Sequence, residues 1–290
     1  MSNKTPIHNL IVPANATNPS LLQNNLGDES ADFHIRRKRV IKLDKNGDDE
    51  GQPIWIENAR YIVNIQRHNF SVCAGTILSA IFVLVLRSCV YPIPVYSERY
   101  AAYTIFSGSE SRNSGSRHTI RRSIRVEPNK QLALIEVSPH FYFEESPNKP
   151  ISLFLGALPP PPRVAYGIFS GWGCTKSGSE CHKRVYPTEL MQVRLPIIPL
   201  VECIGIYEGY ERITDQNICT LDETKRRGTC YRDEGGPLAV QFPPLQAPHL
   251  LGVLLFGGYD LGVDPDVFIN LNHYVVNQWI THTINHHVVN

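Results

Sequence analysis

The sequence predicts an all-β protein of antiparallel strands, and three observations carry that prediction. Apolar runs are short and rich in β-branched and aromatic residues, as in Tyr61-Ile62-Val63-Asn64-Ile65 and Phe82-Val83-Leu84-Val85-Leu86. Turn residues separate these runs at close spacing, which favours antiparallel pairing over βαβ units. A length of 290 residues suits one unit of paired barrels, common among all-β chains of this size.

Composition narrows the function classes. With 42% hydrophobic and 19% charged residues the chain is globular rather than disordered. A net charge of +1 argues against nucleic acid or an anionic membrane surface as its main partner. The longest apolar run, Ile77 to Leu86, has the length of a buried strand and not of a membrane span.

Residues 1–39 are polar, without helical or strand periodicity, and are expected to form a flexible N-terminal extension. Asn3-Lys4-Thr5, Asn15-Ala16-Thr17 and Asn69-Phe70-Ser71 are glycosylation acceptor patterns. Arg36-Arg37-Lys38-Arg39 precedes Val40-Ile41. This is either a processing site cut between Arg39 and Val40 or a solvated charge run.

From Tyr61 the strand pattern continues through Cys73-Ala74-Gly75-Thr76-Ile77-Leu78 and the run ending at Leu86-Arg87-Ser88-Cys89. Around His118–Val126, Ile120, Ile124 and Val126 share one face of a strand, while Arg121 and Arg125 lie opposite and Arg112 and Arg117 lie in the loop before it. Four arginines here form either a charge-guarded edge strand or a surface for an anionic partner or polyanion. Further on stand Asn129–Val137, the proline run 159–162 that suits an extended connector, Ala165–Gly173 ending in Gly-Trp-Gly, and Cys230-Tyr231-Arg232-Asp233-Glu234-Gly235-Gly236-Pro237-Leu238. Leu251–Gly257, Val267–Asn270 and a terminal segment containing Trp279-Ile280 close the chain.

In this order, these motifs resemble the trypsin/chymotrypsin-type serine proteases over roughly residues 60–282. The resemblance implies two six-stranded antiparallel β-barrels with a C-terminal helix. A first barrel at about 55–155, a second at about 163–270 and a helix at about 272–284 would together form a domain over 40–282. It implies disulfides Cys73–Cys89 and Cys203–Cys219, and hence an oxidising, extracellular compartment. The first twenty residues show no basic start followed by an apolar core, so either the start of the chain is incomplete, which is the expectation, or the protein leaves the cell by another route.

Seven cysteines leave an odd one. The partner that the resemblance gives Cys230 would fall near Asp260 and is missing. Either Cys174 and Cys181 pair with each other, leaving Cys230 free, or one of them takes Cys230 and the other is available for an intermolecular bond. His282, His286 and His287 on the terminal helix are read as surface histidines and not a metal site, and no cofactor is implied.

The chemistry of the resembling family is what the sequence lacks. Its segment C-x-G-D-S-G-G-P-L places the nucleophilic serine on Glu234, its base on Ser88 and its triad aspartate on Gln131. A nucleophile, a base and an orienting carboxylate are all required, and none stands in place. The serine that supports the triad falls on Leu255, and Arg232 replaces a glycine whose N–H helps form the oxyanion hole. Gly228 falls on the base of the primary pocket and Asp266 on a pocket-lining glycine. A carboxylate there either accepts a basic side chain or fills the pocket, and closure is the expectation.

The sequence thus predicts a non-catalytic protease homologue of the kind common in arthropods. It would be a secreted binding protein whose partner is an active protease or another secreted protein, serving as cofactor or regulator in immunity or reproduction. A residual or repurposed hydrolase and an extracellular adhesion or polyanion-binding module are the alternatives.

Overall fold

Phe82–Leu86 is buried along its whole length, as befits a strand with apolar residues at every position. In the computed structural model it lies between two neighbours in a closed barrel. The structure describes residues 51–90, 101–127, 131–159, 165–174, 186–224, 227–258 and 263–286, without the side chains of 122–126. These belong to a unit spanning Asp48–Asn290. The expected extension 1–39, the Arg39–Val40 site, Asn3, Asn15, residues 160–162, Cys181 and His287 lie outside the described residues.

The first barrel comprises β2 (Ile62–Arg67), β3 (Phe70–Ile77), β4 (Phe82–Leu86), β5 (Tyr103–Ser107), β6 (Ser116–Val126) and β7 (Leu132–Ser138). They close in the antiparallel order β2-β3-β4-β7-β6-β5. β6 pairs with β5 through its first residues and with β7 through the rest. It is not the edge strand that its arginines suggested, because closure removes the edges. The β2–β3 hairpin turns on His68 and Asn69, both at positive φ (50° and 65°), the geometry that matches strand twist in a two-residue hairpin. Asn69 is exposed at its tip.

The second barrel uses β8 (Tyr166–Gly171), β9 (Met191–Ile198), β10 (Asn217–Thr220), β11 (Pro237–Val240), β12 (His249–Phe256) and β13 (Asp266–Asn270). The order β9-β10-β13-β12-β11-β8 closes through β8–β9 pairing. A short β1 (Gln52–Pro53), ahead of the first barrel in sequence, adds to β9 of the second. The core of the first barrel runs on through Trp172, Leu250 and Val253 to Val276 and Ile280 of the C-terminal helix α2 (Tyr274–Asn285). Each such buried aliphatic side chain contributes roughly 1.5–3 kcal/mol. A second helix, α1 (Leu200–Ile206), was not expected from the sequence.

Both disulfides implied by the resemblance are present, Cys73–Cys89 and Cys203–Cys219. Cys230 is disulfide-bonded too, which rules out the pairing that left it free. No helix among the described residues is long and apolar enough to cross a membrane.

Candidate functional site at the barrel junction

Three chain segments meet where the barrels join. Ser88 lies in the tight helical turn Arg87–Val90 that follows β4, and Gln131 leads into β7. The Arg87 N–H donates to the Gln131 carbonyl at 2.9 Å and holds these two segments together. Glu234 comes from the turn before β11, and its carbonyl accepts from the Ala74 N–H of the first barrel at 3.1 Å. Gly235 makes that approach possible. It sits at φ +81°, and a Cβ there would stand 2.4 Å from the Ala74 carbonyl oxygen.

The Arg87–Gln131 bond ties the Ser88 and Gln131 segments, and a Cβ on Gly235 would lie 3.5 Å from Cys89 Sγ, so the Glu234 turn packs beside the turn that carries Ser88. Ser88 is exposed, and Gln131 and Glu234 are half-buried. Among the described residues no hydrogen bond joins their side chains. Leu255 packs against the core where a supporting hydroxyl was expected to be lost.

Two carboxylates that are neighbours in sequence face different donors. Asp233 is buried, its Oδ1 accepting from the Gly173 N–H at 2.8 Å and its Oδ2 from the Cys230 N–H at 3.0 Å. Gly173 must be glycine, since a Cβ there would fall 2.2 Å from the Asp233 Cγ. Burial, with smaller contributions from Glu234 and Asp266, pushes the Asp233 carboxyl up to about 7.

Burial raises the pKa of the half-buried Glu234 carboxyl, while the nearby backbone amides of Glu234 and Arg232 and the Arg232 charge oppose the rise. Those two amides are the donors that an oxyanion hole would need at this turn. Arg232 adopts φ +73°, the left-handed region that a glycine takes without strain.

Asp266 is also buried, and its pKa is raised by burial. Oδ1 accepts from Thr229 Oγ1 at 2.8 Å and from the Gly258 N–H at 3.0 Å. Oδ2 accepts from the Thr229 N–H at 3.0 Å and from Thr220 Oγ1 at 3.4 Å. A carboxylate has about four lone-pair sites, and these bonds fill them. The half-buried Gly228 lies one residue before Thr229.

The four-arginine face separates. Arg121 pairs with Glu136 at 2.9 Å, and Arg117 lies over the Phe106 ring at 5.4 Å. Arg112 instead lies over Tyr186, and the side chain of Arg125 is outside the described residues. A serine–histidine pair that the sequence did not reveal, Ser107 Oγ to His118 Nε2 at 2.9 Å, is buried in the first barrel. His118 Nδ1 is bonded to the Pro139 carbonyl at 2.6 Å, and burial lowers its pKa. Substrate cannot reach it. His282 and His286 stack on α2 at 4.2 Å.

The family profile described as Trypsin matches residues 49–280. The chain belongs to the trypsin family. It is 26% identical over 243 residues to trypsin epsilon of Drosophila erecta, covering 80% of this chain and 86% of that protein. Against trypsin-1 of Astacus astacus the identity is 27% over 230 residues, covering 73% and 87%. Among solved structures, the scabies mite inactivated protease paralogue S-D1 is similar in fold, with a TM-score of 0.66 at 23% identity. That alignment covers 82% of this chain and 97% of the mite protein.

Proposed function

We propose that this trypsin-family chain is a non-catalytic serine protease homologue. It would act outside the cell as a binding protein, a cofactor or regulator of protease cascades in immunity or reproduction. The observation that carries the reading is Glu234 itself, a half-buried carboxylate in the turn that would hold the nucleophile. Acyl transfer on this fold needs backbone donors open to the developing oxyanion, together with a hydroxyl nucleophile and a base to deprotonate it. A carboxylate at that turn also repels the oxyanion that the reaction would build.

The other positions support the same reading. Ser88 and Gln131 offer no base and no carboxylate, and Asp266 fills the pocket that would anchor a substrate side chain. The fold also carries a mite paralogue named as inactivated, so this scaffold exists without its chemistry. The disulfides fit an extracellular setting.

The test is incubation of the purified protein with a complex peptide library, read by mass spectrometry beside active trypsin. The reading expects no new termini above a no-protein control. Protein-dependent cleavage at a reproducible residue type would overturn it.

A further inference from the structure

Arg112 and Arg232 come from different barrels yet meet on one ring. Their guanidinium carbons stand 5.8 Å and 4.4 Å from the centroid of Tyr186. Arg232 also lies 5.9 Å from the ring of Tyr231, which is 52% exposed. The result is a short rim, Arg112–Tyr186–Arg232–Tyr231, beside the Glu234 turn.

Both arginines rise from pinned backbone. The Arg112 N–H donates to the Thr188 carbonyl at 3.1 Å, and the Arg112 carbonyl accepts from Asn64 Nδ2 at 2.6 Å. The Arg232 turn is held by Asp233 N–H to Cys230 carbonyl at 3.0 Å and Gly236 N–H to Asp233 carbonyl at 2.9 Å. Guanidiniums stacked on rings keep their N–H edges free for a second, coplanar acceptor. Arg112 has no ion-pair partner among the described residues, and Arg232 shares its charge with the half-buried Glu234.

We propose that this rim docks an acidic segment of a protein partner, one with adjacent carboxylates that take the two guanidiniums side by side. The proposal rests on the reading of the chain as a binding protein and names the chemistry of its partner. A sulfated polysaccharide is disfavoured, because it needs a row of uncommitted cations. Here Arg121 is taken by Glu136, and Glu110 and Glu189 flank Ser111 close to Arg112. The rim reads an anion through two fixed prongs rather than through net charge. Such prongs are pre-organised, so little conformational freedom is lost on docking.

The experiment is fluorescence anisotropy of a fluorescein-labelled hexaglutamate peptide on the full chain, with heparin as competitor. Arg112→Ala and Arg232→Gly are each expected to weaken binding by about tenfold, the scale of a lost charge-assisted hydrogen bond. Arg232→Gly is the better control for folding, since glycine suits the φ of +73°. Arg121→Ala is expected to change nothing.

Binding that is absent, that survives both substitutions, or that falls equally with Arg121→Ala overturns the rim. So does heparin binding that outcompetes the peptide through the same arginines. The peptide is recovered afterwards and checked for cleavage. Cleavage would sink the non-catalytic reading alone, and intact peptide that does not bind would sink the rim alone.

Discussion

The half-buried Glu234 carboxyl lies near the backbone N–H and the charge of Arg232, two positions earlier in the same turn, and both oppose the rise that burial gives its pKa. Arg232 holds φ +73° at that turn.

Restoring one residue should therefore not restore chemistry. Glu234→Ser supplies a hydroxyl but leaves no base, so ester hydrolysis is expected to stay at background. The combined variant Ser88→His, Gln131→Asp, Arg232→Gly, Glu234→Ser rebuilds nucleophile, base, carboxylate and hole together. Because such groups act as a unit, only this variant should hydrolyse an activated p-nitrophenyl ester measurably. Activity in the single variant would contradict the account.

Neighbouring positions of the turn should differ sharply in tolerance. Gly235→Ala puts a Cβ against the Ala74 carbonyl at 2.4 Å and strains φ +81°, so a loss of about 3 kcal/mol or more is expected. Arg232→Gly trades a cation–π contact of about 0.5–1 kcal/mol for relief of a similar backbone cost. Urea unfolding of the two variants checks this: the first should lose most of its stability and the second should change by less than about 1 kcal/mol.

Asp233 gives stability a pH dependence whose sign follows from its burial. Its carboxyl moves from an ordinary 3.8 in the unfolded chain to about 7 in the folded one. Between those values the native state holds the extra proton, so its contribution is complete below about 4 and is lost as pH rises through 7. Glu234 and Asp266 are raised too and add to the same trend. Unfolding free energy should fall by a few kcal/mol from pH 5 to pH 8, since a tenfold difference in proton affinity between the two states is worth about 1.4 kcal/mol. Asp233→Asn should flatten part of that slope. An unchanged slope would remove Asp233 from the account.

Asp266 should keep basic probes out of the primary pocket. Its lone pairs are already matched by Thr229, Gly258 and Thr220. Benzamidine at millimolar concentration is expected to leave the melting temperature unchanged. Asp266→Gly should open the slot while costing about 1–3 kcal/mol for the hydroxyl and amides left unpaired. A benzamidine-induced rise in the unsubstituted protein would show that the carboxylate is available after all.

What could be read in the sequence depended on how local its cause was. The barrels were legible because runs such as Phe82–Leu86 and the ordered motifs at Cys89, Gly-Trp-Gly and Cys230–Leu238 each fix their own segment. Contacts between distant segments were not legible. Nothing in the sequence joins Arg112 to Arg232 through Tyr186, commits Arg121 to Glu136, or adds Gln52–Pro53 to β9.

The central claim is that no activated nucleophile stands at the barrel junction. Its most direct test is labelling of the purified, natively disulfide-bonded protein with a fluorophosphonate probe, with trypsin as positive control. The account predicts no covalent adduct on the intact chain by mass spectrometry. A stoichiometric adduct mapped to Ser88 or any other residue of the cleft would contradict it.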